Sequence, residues 1–300
     1  MRVSFTELRY MVALAREKNF SRAAESCFVS QPTLSAGLKK LETSLGLQLF
    51  ERGYRQQLRL TAEGERLLPV ALEVIEGLEK FESLALKSAD IFSQPVRLGV
   101  IYSIGPYLLP RLIPYLNETH PSLSILIEEN YTEVLSEKLH NGELDLIIIS
   151  LPFSGPAISV KNLYEEDFFV AMPVRHRLAG RKSVRVGDIQ ADELLLLGEG
   201  HCLRSQVLEA CPACRVSSEQ RKTWQGTSLE TLCYMVANGA GLTLLPEMAV
   251  ERQRTNTQLV VRPFARPVPS RVVSLAWRSS WSRTAIVDIF EKAVKVNVNA

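Results

Sequence analysis

The sequence has no apolar run long enough to cross a bilayer, which excludes a helical membrane span. Met1-Arg2-Val3-Ser4-Phe5 lacks the apolar core and the small-residue cleavage site of a secretory signal, so the expected location is the cytoplasm. Cysteine and histidine are scarce, five and four, and no CxxC…CxxC or HExxH spacing joins them; neither metal nor cofactor is expected. Structural disulfides are rare in the cytoplasm, so a pair of nearby cysteines reads there as redox-active or metal-binding. A large net charge is also missing. The chain carries +2 over 300 residues, 46% apolar and 23% charged, which describes an ordinary globular protein of two or three domains.

The balance hides an asymmetry. Residues 1–60 hold ten Lys/Arg and five acids, a local +5 that leaves −3 for the rest. A basic first fifth on a slightly acidic body points to a polyanion partner at that end. Phe5, Leu8, Met11, Val12, Leu14 and Ala15 recur at helical spacing. Ser21 is a candidate N-cap for a short second helix, and Ser30 for a third with Pro32 in its first turn. In that third helix Leu34, Leu38 and Leu41 share one face, leaving Gln31, Thr33, Ser35, Lys39 and Lys40 elsewhere. A short polar helix start with lysines behind it is what reading the major groove of double-stranded DNA requires. Arg52, Arg55 and Arg59 fall in a candidate wing ending at Thr61, within reach of backbone or minor groove.

From Ala62 to about Ala89 helix formers dominate, with one proline, Pro69. Leu67, Ala71, Val74, Leu78 and Phe81 alternate by four and three, the seam of a two-stranded coiled coil. A homodimer joined there would offer two recognition helices to a pseudo-palindromic operator. Ser93-Gln94-Pro95 then breaks the helix. Beyond it strand-like and helical runs alternate: strands at 96–101, 123–128 and 144–149 with helices between, and a second unit beginning near Phe168. The pattern predicts α/β lobes on a largely parallel sheet, with ligands bound in the cleft between them. The domain expectation is 1–61, 62–92 and 93–300, with lobe I at about 93–167 and 272–300 and lobe II at about 168–271.

Gly200-His201-Cys202-Leu203-Arg204 places a thiol beside a histidine and an arginine, a setting that favours thiolate, with Cys211 nine positions on. Taken alone the stretch is either a redox pair or two unrelated thiols. Cys27 and Cys233 stand among apolar residues and read as core thiols. Ser103 and Thr132 sit at strand-to-helix transitions, where a hydroxyl serves as a helix cap.

Phe20-Ser21-Arg22-Ala23-Ala24, Val29-Ser30-Gln31-Pro32-Thr33-Leu34-Ser35 and Leu49-Phe50-Glu51-Arg52 closely resemble the winged helix-turn-helix of LysR-type transcriptional regulators. The resemblance implies an α-rich DNA-binding domain, a linker helix, and a C-terminal α/β two-lobed effector domain like a periplasmic binding protein. It also implies that Ser30, Gln31, Pro32, Thr33, Ser35, Lys39 and Arg52 face DNA. Within the family, residues 200–204 with Cys211, Gly105-Pro106-Tyr107-Leu108-Leu109-Pro110 and Thr227-Ser228-Leu229-Glu230 are similar to members that sense hydrogen peroxide. By that similarity Cys202 reacts with peroxide, Cys211 closes a disulfide with it, and Ser103, Thr132, His201 and Arg204 surround the oxidant. Cys214 is the alternative resolving thiol. If residues 202–211 are helical, the two cysteines lie about 13 Å apart, and a disulfide needs about 7 Å or less. Oxidation would then remodel the lobe and alter how the subunits hold DNA. The resemblance further implies a homotetramer, contacts with RNA polymerase, and a thiol reductant such as glutaredoxin or thioredoxin. Two other readings fit the residues: a small organic effector in the cleft, or a thiol peroxidase. The expectation is a regulator, not an enzyme.

Overall fold

The computed structural model describes residues 3–52, 58–85, 92, 94–212, 225–226 and 228–298, with backbone alone at 52, 83–85 and 225–226. The chain begins with helix α1 (Phe5–Glu17), opened by a capping box. The Ser4 hydroxyl accepts from the Glu7 N–H, and the Glu7 carboxylate accepts from the Ser4 N–H. Helix α2 (Phe20–Ser26) is capped by Asn19, whose amide oxygen accepts from the N–H groups of Ser21 and Arg22. That corrects the expectation for Ser21, which lies inside the helix and donates its hydroxyl to Gln31 Oε1 at 3.1 Å. Helix α3 (Gln31–Leu45) has Ser30 as its cap and buries Leu34, Leu38 and Leu41. A hairpin of β1 (Phe50–Arg52) and β2 (Leu58–Leu60) follows, antiparallel with Glu51 opposite Arg59.

Helix α4 (Ala62–Ala85) runs through Pro69 without a break and is about 36 Å long. A Cβ at Gly64 would lie 2.2 Å from the Leu49 carbonyl oxygen, so only glycine permits this close approach to the hairpin. Leu68, Ala71 and Leu72 belong to the core shared with α1–α3. The expected dimer seam is therefore corrected at Ala71, which is 4% exposed and already packed within its own protomer. Heptad spacing cannot tell an intramolecular from an intermolecular partner. Among the described side chains of this helix the large apolar residues left exposed are Val70, Val74 and Phe81, while Leu67 and Leu78 are half-buried.

In the C-terminal body, β3 (Val96–Ile101), α5 (Gly105–Thr119), β4 (Ile125–Asn130), α6 (Thr132–His140) and β5 (Leu146–Ser150) form two crossovers. The parallel pairs β3–β4 and β3–β5 result. The next strand, β6 (Ile158–Pro173), is sixteen residues long. It is followed by β7 (Leu196–Leu197), α7 (Cys202–Ala210), β8 (Gln225–Gly226), α8 (Leu229–Ala237), β9 (Thr243–Pro246), α9 (Glu247–Gln253), β10 (Leu259–Pro263), β11 (Ser270–Arg278) and α10 (Thr284–Val298). The main sheet runs β10-β6-β11-β5-β3-β4, with β9 also on β6.

The expectation of a largely parallel sheet needs correction. β11 is antiparallel to both β5 and β6, and β6 is antiparallel to β9 and β10. The strand expected to begin near Phe168 is the second half of β6, which serves both lobes; strand–helix alternation does not reveal a strand that passes from one lobe into the next. Two cores lie along this ribbon. One gathers Leu98, Ile147, Leu163, Val273 and Phe290, the other Phe168, Val170, Leu196, Leu203 and Leu244. No helix among the described residues is long and apolar enough to cross a membrane.

Candidate functional site

At the N-terminal end, burying Leu34, Leu38 and Leu41 turns the other face of α3 outward. Ser30, Gln31, Pro32, Thr33, Ser35 and Lys39 are all exposed there. Lys40 is occupied differently, bound at 2.8 Å to the buried Glu7 carboxylate. Arg59 is exposed on the hairpin, whereas the side chain of Arg52 and the whole of Arg55 lie outside the described residues. Phe28, in the turn before α3, is 92% exposed with φ 57°, a conformation side-chain-bearing residues rarely adopt.

The second site lies where three turns meet: β3 to α5, β4 to α6, and β7 to α7. The first delivers Ser103, 3% exposed, and the second Thr132. Neither is a helix cap, because Ile104 and Tyr131 hold those positions without a side-chain cap bond. The Ser103 hydroxyl instead accepts from Arg271 Nη1 at 2.9 Å, and its carbonyl from Nη2 at 3.0 Å. Thr132 Oγ1 is buried with no hydrogen-bond partner among the described residues. A buried hydroxyl left unpaired is costly, so this one is free to pair with water or another small polar molecule.

The third turn carries His201 and Cys202. Cys202 is the first residue of α7, free and half-buried, at the positive end of the helix dipole. His201 is 7% exposed, its Nε2 has no partner among the described residues, and burial pushes its pKa down. Burial thus disfavours the charged form of the ring. Arg204 donates to the Leu197 carbonyl at 3.0 Å, a bond within its own lobe.

The cation that reaches the Ser103 hydroxyl is Arg271, which the sequence expectation omitted. Its side chain is 1% exposed and paired at 2.7 Å with Glu166, itself 2% exposed. Burial opposes the charge, but Glu166 foremost, with Tyr164 and Cys202, outweighs it and holds the guanidinium above its ordinary pKa. The available signal was an arginine opening a largely apolar run, Arg271-Val272-Val273-Ser274-Leu275, in a strand.

Helix α7 also ties the lobes together. Gln206 donates to Ser150 Oγ and to the Leu151 carbonyl, both at 2.8 Å. At its far end Cys211 is 2% exposed. With α7 unbroken between them, Cys202 and Cys211 stand about 13 Å apart, well beyond disulfide range. Cys211 is disulfide-bonded while Cys202, Cys27 and Cys233 are free, so the implied Cys202–Cys211 bond is not the one held in this state. The partner of Cys211 lies outside the described residues, as does Cys214. Cys233 is an inert core thiol, pushed up to about 12 by burial and by Glu230.

An exposed recognition-type helix on a winged domain, followed by a two-lobed α/β body on crossing strands, defines a class of DNA-binding regulator. Residues 5–65 match the LysR-family regulatory helix-turn-helix and residues 90–295 the LysR substrate-binding domain. The chain belongs to the LysR family of bacterial transcriptional regulators. Within it, the chain is 38% identical over 276 residues to the DNA-binding transcriptional dual regulator OxyR of Escherichia coli K12, covering 92% of this chain and 90% of that one. It is 40% identical over 276 residues to a probable hydrogen peroxide-inducible genes activator of Mycobacterium avium, covering 92% and 88%. Among solved structures, a full-length cysteine-to-aspartate variant of Pseudomonas aeruginosa OxyR superposes with a TM-score of 0.91 at 43% identity, over 99% of each chain. A hydrogen-peroxide-bound cysteine-to-serine variant of Corynebacterium glutamicum OxyR matches at 0.67 and 32% identity, over 100% of this chain and 94% of that one.

Proposed function

We propose that this regulator senses hydrogen peroxide through Cys202 and converts the oxidation into a change in how it holds DNA. The observation that carries the reading is a free thiol at a helix N-terminus, in a site holding a buried cation and two buried polar atoms without partners among the described residues. The Cys202 thiolate attacks one peroxide oxygen and the O–O bond breaks. Hydroxide leaves as water after taking a proton, and the sulfur becomes a sulfenic acid. Arg271, through Ser103, and Thr132 are the donors suited to the departing oxygen.

The sulfenic acid condenses with a second thiol and releases water. Cys211 can resolve it only in chains where its present disulfide has been reduced, a step for a thiol reductant of the glutaredoxin or thioredoxin type. Because α7 separates the two residues, their bonding requires the helix to unwind and the Gln206 links across the lobes to break. Dimerisation through Val70, Val74 and Phe81, pairing of dimers into a tetramer, and a cytoplasmic site of action contacting RNA polymerase complete the proposal. The operator would be read by Ser30, Gln31, Pro32, Thr33 and Ser35, with Lys39 and Arg52 on phosphates.

A non-reducing peptide map of the fully reduced protein after micromolar peroxide tests it. The expected product is a crosslink from Cys202 to Cys211, with Cys214 as the alternative; no crosslink or sulfenic acid at Cys202 would overturn the sensor.

A further inference from the structure

Three dipeptides at the Cys202 site share one arrangement, a ring followed by a polar group: Tyr102-Ser103, Tyr131-Thr132 and His201-Cys202. Each lies at one of the three turns that build the Cys202 site, and the three rings meet. Tyr131 and His201 have centroids 4.8 Å apart at 73°, Tyr102 and Tyr131 5.3 Å at 79°, and Tyr102 and His201 5.9 Å at 55°. Edge-to-face packing at these separations is attractive, so the cluster ties together turns from both lobes. Gly200 completes it. Its φ is +87°, and a Cβ there would come within 3.1 Å of the Tyr131 ring, so glycine is what lets that ring lie flush against the turn.

Alongside the rings are Ser103, Thr132 Oγ1 and His201 Nε2, the last two buried and without partners among the described residues. A molecule of a few atoms with hydrogen-bonding capacity at both ends suits such a site. We propose that Tyr102, Tyr131 and His201 form an aromatic cap that sets the size of oxidant able to reach Cys202, admitting hydrogen peroxide and holding back bulky organic hydroperoxides. The proposal rests on the reading of Cys202 as the peroxide-reactive thiol. The same attack on an organic hydroperoxide would give the sulfenic acid and an alcohol, so the chemistry is available to both oxidants and access is what separates them.

The test compares full-length reduced protein with Tyr131→Ala, Tyr131→Phe and Tyr102→Ala variants. The rate of Cys202 oxidation is measured by mass spectrometry with hydrogen peroxide and with cumene hydroperoxide. A peroxide-independent arm measures Cys202 labelling by iodoacetamide and by the bulkier fluorescein maleimide. Tyr131→Ala should raise the cumene-to-hydrogen-peroxide rate ratio, and the maleimide-to-iodoacetamide ratio, by about tenfold each, the scale at which pocket size discriminates. Tyr131→Phe, which keeps the ring, should leave both ratios unchanged. A merely structural role would slow or hasten both oxidants alike and lower Tm. Ratios within about twofold of the parent protein, in an alanine variant of unaltered Tm, overturn the cap. Should Tyr131→Ala fold poorly, Tyr102→Ala decides, since Tyr102 is 36% exposed and contributes less to the core. If peroxide leaves wild-type Cys202 intact while the labelling ratio still shifts in the alanine variants, the sensor reading falls and the cap on the thiol stands.

Discussion

The buried cation at the Cys202 site is Arg271, and its proposed part in the reaction depends on being both charged and dry. A guanidinium at 1% exposure would be prohibitively unfavourable without Glu166 at 2.7 Å, and the pair leaves further N–H groups for Ser103. Lysine at this position would keep the charge but not the fork that serves Glu166 and Ser103 together. Arg271→Lys should therefore slow Cys202 oxidation by about ten- to a hundredfold while the protein stays folded. Stopped-flow oxidation beside a melting curve checks it; an unchanged rate would remove Arg271 from the reaction. Cys202, Ser103, Thr132 and His201 were legible from local spacing and resemblance because each sits in a turn with its own short motif. Arg271 was not, since the Glu166 and Ser103 that it pairs with are delivered by distant segments of the chain.

Among the elements, α1 shows how a cap can sense pH. The Lys40 side chain foremost, then the Ser4 N–H, hold the Glu7 carboxyl below its ordinary range. A carboxyl with a lowered folded pKa stabilises the fold above its unfolded value, and the contribution disappears as pH falls through the folded one. Glu7→Gln should lower Tm at neutral pH, and the gap from wild type should close on acidification below about pH 4. A gap that stays constant across the titration, followed by circular dichroism, would mean that the charge contributes nothing. Helix α7 bears on function more directly. The sequence implied that Cys202 and Cys211 would be too far apart if the segment were helical, and it is helical from Cys202 to Ala210, with Cys211 as the C-cap. What sequence could not reveal is that Gln206 fastens the same helix to Ser150 and Leu151, so that unwinding it also releases an inter-lobe contact.

Across the whole molecule, the DNA-binding end is tied to the sensing end by a buried ion pair. Arg278 on β11 binds Glu76 of α4 at 2.7 Å, with both side chains under 10% exposed (8% and 7%), and also donates to the Leu139 and Leu144 carbonyls. Lys18 reaches Glu143 at 3.6 Å, a weaker surface contact. Removing one partner of a buried pair leaves an uncompensated charge. Glu76→Ala should therefore cost about 3–5 kcal/mol, and a Glu76→Met/Arg278→Met double variant should regain most of it. Urea unfolding measures both, and a loss below about 1 kcal/mol for the single variant would show that water already compensates Arg278. This pair lies where β11 of the body meets α4.

The amino-acid sequence alone determined the winged helix, its outward polar face, the long α4 and the motif around Cys202. Each is set by residues near one another in the chain, through capping, helical periodicity and turn chemistry. The tertiary structure decided the rest. It made Ala71 part of a protomer core rather than a seam, made the sheet mixed by running β6 through both lobes and setting β11 antiparallel to β5 and β6, and freed Ser103 and Thr132 from capping. It also brought Arg271 and three rings to the thiol. These depend on which distant segments pack together, and burial and electrostatics act only once that packing exists.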